Sequence, residues 1–290
     1  MKCAKLAVFC VVAIIIAANH SLAEESGKHM SLMFSNGVSA RSTPAGFSDA
    51  VSLAVMDYYS GSDSILTRNN HIGVGLVDEI SPATNAGGVF LEFEPIAVFN
   101  LRVQYDYVNY FGLLGAIVTF PDKNSNYSSG IMNHLDSDRI ETANGTHFKI
   151  QPTLQAEFKR FIMLNTTSFE WFDINKEDYF YEPTNDTLMK TKDYFFSNMT
   201  VAGYQVWGTG DYHRIILGAR YTYFRVESTE RERKQLDGAM IWFMGDKRWF
   251  MERPRLVLVA GGFIEDRYRE KDFFTGAMFN FEYTLKRLKN

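Results

Sequence analysis

Residues 147–158 read His-Phe-Lys-Ile-Gln-Pro-Thr-Leu-Gln-Ala-Glu-Phe, and their alternation leaves few folds open. Phe148, Ile150, Pro152, Leu154, Ala156 and Phe158 interleave with Lys149, Gln151, Thr153, Gln155 and Glu157. Successive side chains on a strand point to opposite faces, so one face is wholly apolar and the other polar or charged. The code returns near the C-terminus, where Phe273, Thr275, Ala277, Phe279, Phe281, Tyr283 and Leu285 interleave with more polar or smaller neighbours. Dyad strands of roughly ten residues suit a barrel with lipid outside and water inside.

Residues 1–23 read as a cleavable export signal, and residues 24–290 as one barrel domain. Lys2 and Lys5 form a positive start, residues 6–18 are almost continuously apolar, and Ser21-Leu22-Ala23 is a small-x-small cleavage site. The apolar run is short of the ~20 residues that a membrane-spanning helix requires. Both cysteines, Cys3 and Cys10, fall inside the signal, so the remaining chain forms no disulfide. Losing Lys2 and Lys5 leaves 28 basic residues against the 34 acidic ones. That balance offers no basic surface for nucleic acid.

Strand-like runs cover 49–59, 70–78, 88–94, 96–107, 112–120, 147–158, 161–172, 193–207, 212–226, 238–244, 255–264 and 272–285. The expected fold is therefore all-β, an antiparallel transmembrane β-barrel of about 12 strands, with 10 or 14 as alternatives. Residues 24–47 hold either a first strand around 30–34 or a segment outside the barrel. Connections alternate between long (121–146, 173–192, 227–237) and tight (159–160, 208–211). Barrels of this class place tight turns at one end and long loops at the other.

The same alternation assigns an interior face. Arg102, Gln104 and Asp106 share one side of 96–107, and Lys149, Gln151, Gln155 and Glu157 share one side of 147–158. Arg214 and Arg220 on 212–226, and Glu282 on the last strand, complete the expected lumen lining. Charges out of bulk water must be paired or hydrated, so this lining forms either a plug or a narrow aqueous pore. Aromatic residues, 15% of the chain, cluster toward strand ends, as expected of interfacial girdles.

The last strand, Gly276-Ala277-Met278-Phe279-Asn280-Phe281-Glu282-Tyr283, resembles the C-terminal assembly signal of bacterial outer-membrane β-barrel proteins. The resemblance implies an outer-membrane location, contact with membrane lipid and recognition by the barrel-insertion machinery. The class usually ends on an aromatic residue, whereas here Lys286-Arg287-Leu288-Lys289-Asn290 follows.

No catalytic, cofactor or metal motif stands out. A serine hydrolase needs Ser, His and an orienting polar group in one place, and no His-x-Ser pair shares a strand face. His134 beside Asp136 and Asp138 reads as a solvated loop, and His147 and His213 as residues at strand starts. The leading expectation is a channel or porin-like barrel for small polar solutes. The alternatives are a lipid-modifying membrane enzyme and a closed structural or adhesion barrel acting through its loops.

Overall fold

A computed structural model describes residues 29–59, 70–112, 117–132, 134, 140–270 and 272–288. The expected signal at 1–23 lies outside them. The strands are β1 (His29–Ser42), β2 (Ala45–Tyr58), β3 (His71–Ile80), β4 (Thr84–Ile96), β5 (Phe99–Tyr110), β6 (Thr119–Phe120), β7 (Ala143–Phe158) and β8 (Phe161–Ile174). They continue as β9 (Tyr179–Glu182), β10 (Thr187–Met189), β11 (Lys192–Gly208), β12 (His213–Val226), β13 (Arg231–Met244), β14 (Lys247–Arg248), β15 (Met251–Glu265) and β16 (Phe273–Leu288).

Twelve of them form one closed antiparallel ring in the order β1, β2, β3, β4, β5, β7, β8, β11, β12, β13, β15, β16. The seam is the pairing of β1 with β16, which runs from Met30 opposite Leu288 to Arg41 opposite Gly276. Closure leaves no free edge, which is the condition for burying strand backbone away from water.

The count of twelve agrees with expectation through two compensating differences. Residues 24–47 do contribute a strand, β1, longer than the stretch expected around 30–34. Among the described residues of the expected strand 112–120, none joins the barrel; Thr119 and Phe120 form β6 and pair outside the ring, and Val118 bridges Ile140. Their apolar character fills a core instead, as Ile117, Val118 and Phe120 are all buried. The expected loop 227–237 shrinks to 227–230, because charged Arg231, Arg233 and Asp237 belong to β13.

Connectivity sorts the connections onto two ends. Turns 97–98, 159–160 and 209–212 and the connection 245–250 lie at one end; the short turns 43–44 and 81–83 lie at the other, with connections 111–142, 175–191, 227–230 and 266–272. Gly208, at φ 87°, closes the 209–212 turn in a conformation that L side chains rarely adopt.

On β7, Leu154 and Phe158 are 54% and 71% exposed, far above ordinary apolar side chains of a core. Directly paired residues share a face, so Phe99, Asn165, Thr200 and Tyr221 stand on the same outer side as Leu154. Asn165, Thr167, Asn198 and Thr200 therefore stand on the outer face too. They do so as a closed ring. Asn165 Nδ2 donates to Asn198 Oδ1 (3.1 Å) and Thr200 Oγ1 (2.8 Å), and Asn198 Nδ2 donates to Asn165 Oδ1 (3.2 Å) and Thr167 Oγ1 (2.8 Å). The Thr167 and Thr200 hydroxyls donate back to the two amide oxygens. Every donor finds an acceptor inside the group, which removes most of the cost of facing an apolar medium.

The outer face sets the first prediction. Leu154→Arg will cut folding yield in liposomes, by an amount corresponding to ~2–4 kcal/mol at the bilayer midplane. Gln155→Arg, one residue along and on the opposite face, will fold nearly as well as the parent. Equal yields would mean that the faces are assigned the wrong way round.

Candidate functional site

Polar side chains turned away from the exposed apolar face meet inside the ring as connected networks. Two of them share a local plan. On β5, Gln104 Nε2 donates to both Asp106 oxygens at 3.1 and 2.9 Å. On β13, Gln235 Nε2 does the same to Asp237 at 3.0 and 3.1 Å. Each aspartate is 1% exposed and sits opposite a glycine, Gly88 for Asp106 and Gly261 for Asp237. A Cβ at either glycine would collide with the neighbouring aspartate. The signal in sequence is Gln-x-Asp facing glycine across the strand pair, and it becomes visible only once the register is known.

The two clasps differ in the cation they hold. Asp106 Oδ2 lies 3.0 Å from His147 Nδ1, and His147 Nε2 lies 2.9 Å from Glu170, with the imidazole stacked 4.3 Å from Phe172. Asp237 instead accepts Arg220 Nε and Nη2 at 2.9 and 2.6 Å. His147 is thus a buried bridge between two carboxylates, five residues into β7, and not an interfacial residue at a strand start. His213 does open β12, edge-on to Trp207. His134 hydrogen-bonds Gly130 O, while Asp136 and Asp138 lie outside the described residues.

The other residues expected on the interior distribute as follows. Arg102 donates to Gln104 Oε1 at 3.0 Å, stands 3.7 Å from Glu92 and lies over the Phe90 ring. Glu92 also meets His71 at 3.2 Å. Arg102, Glu92, Glu282 and Arg253 border a cavity of about 460 Å³ in the half of the barrel nearer the tight turns. Glu157 pairs with Arg214 at 2.7 Å, and Gln151 donates to Ser168 at 2.9 Å. Gln155 donates to Ala97 O beside a tight turn. Lys149 borders a second cavity together with Glu170. Neither Glu92, Glu170 nor Asp237 was assigned from sequence, because each acquires its partner only through cross-strand register.

The long-loop end is covered. Connections 111–142 and 175–191 build a three-stranded sheet in the order β10, β9, β6, with a single helical turn at Ser129–Met132. Phe180, Met189, Ile117 and Ile174 pack into one core with Phe172, Phe195 and Val226 of the barrel. Val118, Phe120, Tyr127, Tyr181 and Leu188 form a second. The hairpin tip between β9 and β10 reaches across to the far wall. There Arg41 of β1 donates to Thr184 O (2.8 Å) and Pro183 O (2.7 Å). Arg233 of β13 donates to Asp186 O and to Asp266. The Asp186 carboxylate receives Arg269 through Nε and Nη2, each at 3.0 Å, with both partners 1% exposed. This lid is therefore a folded cap latched by arginines, with its own apolar core.

Beneath the lid lie two further cavities, of about 330 and 200 Å³. Both are bordered by Glu170, so they adjoin. The smaller reaches up to Glu182 of the hairpin, whose carboxylate accepts Thr184 N–H at 3.0 Å and Asn185 N–H at 2.6 Å. Burial holds the Glu182 carboxyl above the usual glutamate range, against those two N–H groups, which pull it down.

Together these features define a closed, antiparallel twelve-stranded barrel with an apolar exterior, a polar, charge-paired interior and one capped mouth. No family model matches the sequence, and no curated protein is similar to it in sequence. Among solved structures, the chain is similar to the β domain of the Bordetella autotransporter BrkA, at 9% identity and TM-score 0.42, covering 89% of this chain and 99% of that one. It is also similar to an outer membrane channel from Pseudomonas putida F1, at 10% identity and TM-score 0.41, with 90% and 97% covered. The KdgM porin matches at 8% identity and TM-score 0.38, with 88% and 99% covered.

Two predictions concern the lid. Asp186→Ala removes the buried carboxylate that receives Arg269 and Arg233, which costs on the order of 3 kcal/mol. Limited proteolysis should then cut within 175–191 in the variant, while the barrel resists as in the parent. The second follows from the raised Glu182 value. The folded lid binds this proton more tightly than the unfolded chain, so the group adds stability as pH falls through the raised value toward the ordinary glutamate range. That contribution is absent above the raised value. Hydrogen exchange in 175–191, corrected for intrinsic rates, should be slower at about pH 5 than at about pH 8, and Glu182→Gln should flatten the difference.

Proposed function

We propose that this protein is an outer-membrane channel for small polar solutes, with its long-loop mouth outside the cell and narrowed by the folded lid. The observation that carries the reading is the run of interior cavities, from the 460 Å³ space among Arg102, Glu92 and Glu282 to the two spaces beneath the lid. A barrel built only as an inert plug gains nothing from such voids, whereas a solute path needs them. The interior side chains Arg102, Gln104, Asp106, Lys149, Gln151, Arg220 and Glu282 line that path in this reading. Membrane lipid covers the exposed apolar exterior, and the insertion machinery reads the last strand. One observation favours a second reading: the latched lid suits a closed barrel that acts through its outer surface.

Planar-bilayer recording separates the two. The purified, refolded protein should show discrete openings that enlarge in Asp186→Ala, where the latch is broken. Silence from both proteins would remove the channel reading and leave the closed one. For orientation, Asn126→Cys in the lid should react with an impermeant maleimide on intact cells, and Thr209→Cys at the tight-turn end should not. Labelling of Thr209→Cys alone would place the lid in the periplasm.

A further inference from the structure

The space beneath the lid is electrically divided. Glu79 of β3, Asp106 of β5, Glu170 of β8 and Glu182 of the lid border the smaller cavity. Arg220 of β12, Arg233 of β13 and Arg41 of β1 border the larger one. Round the ring of twelve, β5 stands fifth and β15 eleventh, so the acidic strands centre on one wall and the arginine strands on the wall opposite.

Pairing weakens this division without cancelling it. Lys149 and His147 also border the acidic cavity, His147 is shared between Asp106 and Glu170, and Asp106 and Glu182 are each only 1% exposed, so Glu79 and Glu170 carry the acidic side. On the other wall, the carboxylates that hold the arginines are set back from the space. The side chains of Asp237, Asp186 and Asp266 are 0%, 1% and 4% exposed, whereas those of Arg220 and Arg233 are 21% and 13% exposed. A solute therefore meets guanidinium edges before it meets the acids behind them. Arg41 donates to the main-chain oxygens of Pro183 and Thr184, makes no ion pair among the described residues, and acts through space on Glu182. Glu79 has no ion pair among them either. Between the walls the lining is uncharged and largely hydrogen-bonding, with Ser168, Ser197, Thr222, Gln151 and Gln235 beside the apolar Met199.

We propose that this divided chamber is a binding site for a small zwitterion of amino-acid or dipeptide size, its ammonium turned to the β3–β8 wall and its carboxylate to Arg220 and Arg41. A simple anion is drawn to one wall and repelled by the other, and so is a simple cation. Only a solute carrying both charges at its two ends satisfies both walls at once, in a space where water screens charge poorly. The adjoining cavities suit a ligand of that length, and the neutral lining leaves partners for an amide between the charges. Entry of the solute rests on the channel reading, but the site itself is read by binding.

The test is equilibrium binding to the refolded full chain in detergent micelles at neutral pH, with glycylglycine, glycinamide and N-acetylglycine as zwitterion, cation and anion. Glycylglycine should bind at least about ten-fold more tightly than either singly charged probe. Glu79→Gln should erase most of its advantage over N-acetylglycine, and Arg220→Gln most of its advantage over glycinamide. Should Arg220→Gln fail to fold with Asp237 left unpaired, Glu79→Gln alone decides, since Glu79 holds no partner in place. Equal affinities for the three probes, or an unchanged ranking in Glu79→Gln, would overturn the proposal even in a protein that conducts. Selective binding in a protein that never opens in bilayers would instead sink the channel reading and keep the site.

Discussion

A strand placed in hydrocarbon must pass every backbone N–H and C=O to a neighbouring strand, because no water is there to take them. The pairing of β1 with β16 is what meets that requirement here, by turning a twelve-strand sheet into a ring without edges. Everything else follows from closure. Once the ring is shut, each strand has one face on the outside and one in a confined interior, and the period of two converts sequence into inside and outside. The Asn165–Asn198 ring shows how strictly the rule applies. Four polar residues on the outer face are tolerated because they consume one another's donors.

The interior obeys a second constraint. Charges removed from bulk water need partners, and a barrel wall supplies them only across neighbouring strands or from loops that fold inward. Asp106 therefore finds His147 one strand away, Asp237 finds Arg220, and Glu92 finds both His71 and Arg102. These local pairings leave the wall nearly neutral overall. What survives is orientation: on one side Glu79 and Glu170 face the space, and on the other Arg220 and Arg233 do. A confined solute responds to that difference more than to net charge.

The lid joins these two constraints. It is not a loose loop but a three-stranded sheet with apolar cores, and one of those cores includes Phe172, the ring on which His147 stacks. Lid position and the interior charge network thus share a side chain. The latch itself uses Arg41, Arg233 and Arg269 on main-chain oxygens and on Asp186, bonds that hold the tip over the cavities while leaving voids beneath it.

The sequence by itself determined the class of fold and the two-faced alternation of its strands. Both are local consequences of a period of two, which puts Leu154 and Gln155 on opposite faces. It could not distinguish 112–120 from a barrel strand, because an apolar run reads alike whether it faces lipid or fills a cap. It also passed over β1 as a full strand, since Ser31, Ser35, Asn36 and Gly37 dilute the apolar signal there. Among the interior residues, Arg102, Asp106, Lys149 and Arg220 were legible as polar positions on one face. Their partners Glu92, His147, Glu170 and Asp237 were not, and neither was the latch of Arg41, Arg233 and Arg269. Register between strands and the path of 175–191 across the mouth decided those contacts. Both depend on the closed ring as a whole, which brings residues more than a hundred positions apart, such as Arg41 and Thr184, within a hydrogen bond of each other.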